Sequence, residues 1–451
     1  MFSKIKNFFQ SVPLTKFLLL GYGIIILIGT LLLSLPVSTR DRVFTPIEDS
    51  LFTATSASCV TGLVIHDTYT YWSLFGQLVI LFLIQIGGIG FMSVAIFALT
   101  LTKQKIGLKQ RFTMLESVNA PQLGGIVKMT RFILFGSLTF EGIGAAVLSF
   151  RFIPELGVAK GVYFAVFHSV SAFCNAGIDL MGNFKEFSSL MTVDVDVMFN
   201  IAVMLLITTG GLGFFVWNDI REHKLAFRSY RLQTKIVLST SFILSFGGAA
   251  VIMLLEYDSA AYEGMNFAEK FLCSMFQSVT TRTAGFSTVD LTQYSEAGLS
   301  VMSMLMLIGG SPGSTAGGIK TTTFAVLVLS IICVFKKKKS LECFKRRIVD
   351  DIVHNAVCIF MMYIILTAVV SVFICAFDNV SMLAAVFETS SAVGTVGLSL
   401  GLTPSLSSVS HILLALLMYV GRVGGLTVLM ALSNSAQSSK SQLPTEKITV
   451  G

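Results

Sequence analysis

Charge is what this sequence has least of. Only 13% of its 451 residues are Asp, Glu, Lys or Arg, about half of the roughly 25% usual in a soluble domain. So little polar surface does not coat a globule of this length, which sets aside most soluble enzyme folds. Disorder is set aside as well, because hydrophobic residues reach 54% and aromatics 11%. The seven cysteines (59, 174, 273, 333, 343, 358, 375) contain no CxxC pair, so neither a disulfide framework nor a zinc site follows. The five histidines are isolated and form no HExxH. No Ser/His/Asp constellation is visible, and no enzyme is indicated. Proline is scarce at 8, whereas glycine is plentiful at 38.

What is present are apolar runs of about 20 residues, the length that crosses a bilayer as a helix. The class is therefore a polytopic all-α membrane protein. The first run, Leu14–Leu35, follows Lys4 and Lys6 as a signal sequence would. It lacks an Ala-x-Ala cleavage site and is long enough to span, so it reads as a retained first helix.

Self-similarity appears next. Four segments share a Phe, a Ser/Thr-rich stretch and a Gly: LFTATSASCVTGL (51–63), VFHSVSAFCNAGI (166–178), MFQSVTTRTAGF (275–286) and VFETSSAVGTVGL (386–398). Their glycines, Gly62, Gly177, Gly285 and Gly397, are 115, 108 and 112 residues apart. Each segment is too short and polar to span, and each lies between two apolar runs. The pairs are roughly 15–37 with 72–101, 127–152 with 194–217, 234–256 with 299–333, and 352–376 with 408–433. Four units of helix, pore loop and helix follow, over 1–125, 126–232, 233–350 and 351–451. Two spans per unit give all four the same orientation, so that four parallel helix–pore-loop–helix repeats surround one central pore. An inverted-repeat transporter is the competing topology.

Charge sets the orientation. The termini and even-numbered loops carry 23 of the 32 Lys and Arg, including Lys103, Lys105, Lys109, Arg111, Arg221, Lys224, Arg228, Arg231 and Lys336–Lys339. The pore-loop face carries 7 basic and 17 acidic residues. The positive-inside rule places both termini in the cytosol of a multi-pass plasma-membrane protein. The acidic outer face concentrates cations. The basic loops read as plain topology or as a docking surface for a cytosolic partner.

A dehydrated cation needs several oxygens at close range, and rings of backbone carbonyls supply them without buried charge. Turning successive carbonyls toward one axis calls for angles that Gly reaches without strain. Each unit offers such a stretch: Val60-Thr61-Gly62, Asn175-Ala176-Gly177, Thr283-Ala284-Gly285 and Thr395-Val396-Gly397. The Ser/Thr-rich stretches read as short pore helices whose C-terminal ends favour a central cation. Close helix packing explains any one such glycine, but not four at one offset. Arg282 alone makes no basic ring, which speaks against an anion path.

These residues resemble the superfamily of potassium transporters that contains the Trk, Ktr and plant HKT proteins. Over roughly residues 15–435 the chain is most similar to a Ktr-type membrane subunit. The resemblance implies that the backbone around the four filter glycines coordinates potassium. In some relatives a Ser at the first filter position accompanies sodium preference, so Gly62 implies potassium.

The second apolar run of unit three is interrupted by Gly309, Gly310, Ser311, Pro312, Gly313, Ser314, Thr315, Ala316, Gly317, Gly318, Ile319 and Lys320. No continuous helix tolerates this stretch, and the break must be shielded from lipid. It comes near a nucleotide-binding G-x4-G-K-T, but Ile319 intrudes and no strand precedes it. It reads as a packing kink or as a flexible gate, and the resemblance supports the gate. Arg422 lies in the last apolar run, where a charge marks function by default. It either clasps the freed carbonyls of the broken helix or snorkels to the interface. The family places the matching Arg beside the pore, below the filter. Lys320 has the same two options. Glu141 has no partner visible in sequence, and His168 and Glu388 share a slot that would cap the pore helices. The recurring pairs Gly87-Gly88, Gly210-Gly211 and Gly424-Gly425 read as close-packing or bending sites.

The expected function is potassium uptake through this gated filter. The alternatives are a sodium-preferring conduit of the same fold and a non-conducting scaffold or sensor. The resemblance further implies a homodimer on a ring of cytosolic nucleotide-binding regulatory subunits. It also implies sodium-dependent symport, no cofactor in this chain and no nucleic-acid partner. Short termini and loops suggest a bacterial source.

Overall fold

The computed structural model describes residues 14–90, 126–224, 226–338, 340–425 and 427–428. A unit of long helix, short inner helix, extended turn and second helix occurs four times. Unit one has α1 (Leu14–Ser34), α2 (Ile47–Cys59) and α3 (Leu74–Ile89). Unit two has α4 (Ile126–Leu156), α5 (Val158–Cys174) and α6 (Val197–Leu212), which continues as α7 (Phe214–His223). Unit three has α8 (Leu232–Glu256), α9 (Phe267–Thr280), α10 (Glu296–Leu307) and α11 (Thr321–Phe335). Unit four has α12 (Asp350–Asp378), α13 (Met382–Gly394) and α14 (Ser408–Val423). A two-stranded ribbon, β1 (Glu342–Cys343) and β2 (Arg346–Arg347), joins units three and four.

Among the described residues four helices are long and apolar enough to cross a membrane, and they are the first helices of the four units. Their outer faces keep large side chains exposed, such as Leu31, Phe135, Leu254 and Ile365, as expected of surface turned toward lipid. The short inner helices are instead buried over their C-terminal portions, Ser and Thr included. Each second helix starts with a polar side chain accepting a backbone N–H of its first turn: Ser73, Asp196, Ser295 and Ser407. Such caps satisfy donors that the helix cannot and fix where the chain re-enters the apolar layer.

The units pack in sequence order. Each long helix lies on its own inner helix: α1 on α2, α4 on α5, α8 on α9 and α12 on α13. Each second helix then lies on the inner helix of the next unit: α3 on α5, α6 on α9, α10 on α13, and α14 back on α2. The closing contact draws the fourth unit against the first, and Tyr419 of α14 donates to the Leu19 carbonyl of α1 at 2.6 Å.

The second spans differ from the expected runs. The run 194–217 is not one helix, because the chain turns by 94° at Gly213 between α6 and α7. Gly90, Gly213 and Gly424 end α3, α6 and α14 with nearly the same left-handed backbone, φ of 87, 92 and 91°. The expected continuation of the first unit's second span to 101 lies outside the described residues. So do Lys103, Lys105, Lys109, Arg111 and most of 424–433. The run 299–333 is two helices with a non-helical stretch between them, as its composition predicts.

Candidate cation site

The four inner helices end at one point. Val60, Asn175 and Thr395 terminate α2, α5 and α13 in the left-handed conformation, with φ of 57, 61 and 53°. In unit three α9 ends earlier and Thr283 takes the corresponding conformation at φ 74°. Gly62, Gly177, Gly285 and Gly397 follow two residues later with φ of 101, 65, 81 and 94°. Two left-handed residues per turn therefore reorient the chain, where the sequence suggests only the glycine. Three of the non-glycine positions are β-branched, for which this conformation is a true outlier. Strain of that kind costs about 1–3 kcal/mol per residue and persists only where the surroundings impose it.

The glycines meet in a closed cycle. A Cβ on Gly62 would lie 2.4 Å from the Ala176 carbonyl oxygen, and one on Gly177 2.5 Å from that of Ala284. A Cβ on Gly285 would lie 2.4 Å from the Val396 oxygen, and one on Gly397 2.2 Å from that of Thr61. No side chain fits at any of the four positions. The carbonyls of the residues just before the glycines therefore lie at the meeting point of the four turns.

Each turn is braced by the Ser/Thr of its own helix. Ser56 Oγ accepts from the Gly62 N–H at 3.0 Å, and Ser391 Oγ from the Gly397 N–H at 2.9 Å. Ser171 and Thr280 instead donate to the carbonyls of Ile178 and Phe286, each at 2.6 Å. The slot after the Phe shared by the four segments holds Thr53, His168, Gln277 and Glu388. His168 and Glu388 do not cap their helices, because both sit mid-helix and reach forward past the glycine. His168 Nε2 meets the Leu180 N–H at 3.3 Å, and Glu388 accepts from Ser399 Oγ at 2.5 Å and Thr403 Oγ1 at 2.9 Å. Gln277 donates to Ser287 Oγ at 3.0 Å in the same manner. Sequence reading missed these braces, although their constant offset from each glycine carries the signal.

On one side of the cycle lies a cavity of about 460 Å³, lined by all four glycines together with Asp67, Asp179 and Asp290. Burial pushes the Asp179 carboxyl up to about 7; the Met181 N–H pulls it down, and the nearby Asp67 pushes it further up. On the other side lies the stretch 308–320. It forms no helix, and its backbone is satisfied largely on units two and four. Ser311 and Thr315 N–H donate to the Gly211 and Gly210 carbonyls at 3.0 and 3.3 Å. The Phe214 N–H donates to Gly313 at 2.8 Å, and the Gly318 N–H to Gly421 at 3.3 Å. Thr315 Oγ1 reaches the Phe173 carbonyl at 3.2 Å and Asn175 Oδ1 at 3.1 Å. A Cβ on Gly317 would lie 2.2 Å from Thr395 Oγ1. The stretch thus lies directly against the underside of the cycle.

Two cations hold it. The Arg422 guanidinium donates to the carbonyls of Thr315 and Gly87, and to that of Gly88 at 3.1 Å. Lys320 Nζ folds back onto the carbonyls of Ala316 and Gly317 at 2.7 and 3.3 Å. Of the two options weighed for these side chains, the structure has both turned inward. All the residues from Gly310 to Gly318, with Lys320 and Arg422, come together here. Gly87, Gly210 and Gly421 admit this approach, because a Cβ on each would lie within 2.2 Å of the carbonyls of Ser58, Phe173 and Val393 respectively. Of the recurring pairs, Gly87-Gly88 and Gly210-Gly211 therefore pack closely, and Gly424 marks a bend. Arg422 occupies in α14 the place that Gly88 and Gly211 hold beside their packing glycines.

Two other buried charges stand apart from the cycle. Glu141 does have a partner: the Gln85 amide donates to both of its oxygens at 3.0 Å, across units one and two. Arg282 points away from the meeting point, toward α8, and donates to the Ser241 carbonyl and Ser245 Oγ at 3.2 and 3.4 Å.

Comparison with known proteins places this geometry. The cation transport protein family TrkH matches residues 24–442. The chain is 39% identical over 437 residues to the potassium/sodium uptake protein NtpJ of Enterococcus hirae, covering 96% of each. It is 36% identical over 427 residues to the Ktr system potassium uptake protein B of Bacillus subtilis, covering 94% of this chain and 93% of that protein. The backbone matches the potassium transporter TrkH from Vibrio parahaemolyticus with a TM-score of 0.72, over 92% of this chain and 84% of the other. At 18% identity that likeness shows the fold alone. The chain is thus a multi-pass membrane protein of the TrkH cation transport family, a family of transporters and not of enzymes.

Proposed function

We propose that this chain takes up potassium across the plasma membrane through one central path between four parallel units, with the four glycine turns as its selectivity filter. The observation that carries this is the closed cycle of Gly62, Gly177, Gly285 and Gly397, each against the carbonyl that precedes its neighbour's glycine. The ion enters from the cavity bearing Asp67, Asp179 and Asp290. It sheds water against backbone oxygens of Val60 to Gly62, Asn175 to Gly177, Thr283 to Gly285 and Thr395 to Gly397. The C-terminal ends of four inner helices add partial negative charge around it. Thr61 Oγ1 and Thr395 Oγ1 are buried without a hydrogen-bond partner among the described residues, which leaves two more oxygens for a cation.

Below the filter the stretch Gly310–Gly318 acts as the gate, with Lys320 and Arg422 as its clasp. An ion leaving the filter meets this backbone and two positive side chains, so passage requires the stretch to move. A regulator acts by shifting that equilibrium and needs a differential grip on its two positions. A homodimer on a cytosolic nucleotide-binding ring fits the basic face near Arg221, Arg228, Arg231 and the β1–β2 ribbon, where Phe227 and Phe344 stack edge to face at 6.1 Å. Both termini then lie in the cytosol. Sodium dependence follows the similarity to a protein named for both ions.

The test is rubidium uptake in bacteria lacking their own potassium importers, comparing wild type with Gly285→Ser at matched expression. Uptake that excess potassium suppresses and sodium barely affects, and that collapses in the variant, is expected. Suppression by sodium equal to that by potassium would establish a sodium-permeable conduit instead. Uptake unaltered by the substitution would remove the filter assignment.

A further inference from the structure

The face that carries the cation cavity is acidic, with 7 basic against 17 acidic residues. Three of those seven basic residues, Arg40, Arg42 and Lys160, nevertheless gather around a second cavity of about 690 Å³ between units one and two. None of the three forms an ion pair among the described residues. Arg40 and Lys160 lie on an aromatic floor. The Arg40 guanidinium lies 4.1 Å from the centre of the Tyr69 ring, and Lys160 Nζ lies 5.0 Å from the same ring and 5.5 Å from that of Phe164. Burial raises the Tyr69 phenol, but Lys160 and Arg40 outweigh it and hold the group below its ordinary value. Tyr163 completes the wall, its hydroxyl donating to Gln77 Oε1 at 2.9 Å. Lys160 is also fixed from behind by Asn183 Oδ1 at 2.7 Å. An unneutralised cluster of three cations with phenolic groups has the chemistry of a phosphate receptor.

The surroundings separate a lipid phosphate from a free one. The helices α3 and α5 both begin at this cavity and pack on one another. Each exposes an apolar stripe at helical spacing that starts there. On α3 the stripe is Leu74, Leu78 and Phe82; on α5 it is Val158, Val162 and Val166. A headgroup in the cavity would place two acyl chains along two stripes of a protein that spans the bilayer.

We propose that the Arg40–Arg42–Lys160 cavity binds the headgroup phosphate of an anionic phospholipid, with its acyl chains against α3 and α5. The lipid would tie unit one to unit two at the outer edge of the cation path. The test uses the full chain in nanodiscs of phosphatidylcholine, titrated with phosphatidylglycerol, and reads the melting temperature and the lipid retained in native mass spectrometry. The expected result is a rise of several degrees and one retained phosphatidylglycerol per chain in wild type. Both should be lost in the Arg40→Gln/Lys160→Gln double variant, which keeps the wild-type melting temperature in phosphatidylcholine alone. Inorganic phosphate producing the same rise in phosphatidylcholine discs would overturn the lipid assignment in favour of a soluble anion. Equal retention of the two lipids by wild type would overturn it outright, and that comparison stands even if the double variant fails to fold.

Discussion

Units two and three both break their second helix beneath the glycine cycle, yet the two breaks are built differently. Unit two spends one residue on it. Gly213 turns the chain by 94°, and the helix resumes at once as α7. The corner is set by packing: Trp217 donates its indole N–H to the Thr209 carbonyl at 3.0 Å and lies against Phe140, Phe173 and Phe214. Unit three leaves helix from Ile308 to Lys320. Its stretch is rich in glycine and is tied by hydrogen bonds to units two and four, with Arg422 of unit four linking it onward to unit one. A packed corner has one arrangement. A segment tied by exchangeable hydrogen bonds has alternatives at modest cost, which is what a gate requires.

The largest expected effect breaks the corner. Gly213 has φ 92°, and a Cβ there would lie 2.7 Å from the Pro312 carbonyl oxygen. Gly213→Val combines backbone strain of about 1–3 kcal/mol with displacement of the adjoining stretch. It should lower the melting temperature in detergent by several degrees and reduce uptake with it. A variant as stable as wild type would show that the corner is no more fixed than the stretch of unit three.

Next comes the clasp. Hydrogen bonds from a charged donor are worth about 1.5–3 kcal/mol each, and Arg422 makes three. Arg422→Gln should shift the stretch toward its displaced position by at least about 1.4 kcal/mol, a tenfold effect, and raise rubidium uptake accordingly without a comparable loss of stability. Lower uptake with an unchanged melting temperature would count against the clasp. Lys320 ties the stretch only to itself, at Ala316 and Gly317. Lys320→Met should therefore act in the same direction but more weakly, by about threefold, equivalent to roughly 0.7 kcal/mol. An effect larger than that of Arg422→Gln would reverse this ranking.

The contrast between the two breaks also marks what was legible in sequence. The stretch of unit three announces itself, because Pro and clustered Gly oppose helix. The corner of unit two does not: one Gly in an apolar run is ordinary, and the run 194–217 reads as a single span. Its signal lies only in the shared placement of Gly90, Gly213 and Gly424. That the four glycines occupy equivalent turns was legible through repetition. The left-handed Val60, Thr283 and Thr395 were not, since β-branched residues announce the opposite preference. Contacts across units, such as Thr315 with Asn175 or Arg422 with Gly87, join residues more than a hundred positions apart. Composition gives a reason for Arg422 to seek a partner, but not which carbonyls it finds.

The smallest expected effect lies on the opposite side of the cycle and tests whether the two sides act separately. Asp179 lies two residues after Gly177, in the wall of the acidic cavity, with its carboxyl accepting from the Met181 N–H at 2.8 Å. Asp67 and Asp290 line the same cavity, and the His168 ring meets the adjoining Leu180 N–H. Burial brings the carboxyl to about 7, so it is mostly neutral at pH 6 and mostly charged at pH 8. Raising the pH through this window adds one negative charge at the mouth. Local cation concentration then rises, and uptake from subsaturating rubidium should increase about twofold, less so at high ionic strength. Asp179→Asn should flatten the profile at its low-pH level. In Arg422→Gln the whole curve should rise while its midpoint stays near 7, because the clasp lies beyond the filter from Asp179. A midpoint that moved with Arg422 would mean that the gate and the mouth are coupled, and that the stretch of unit three changes the cavity as it moves.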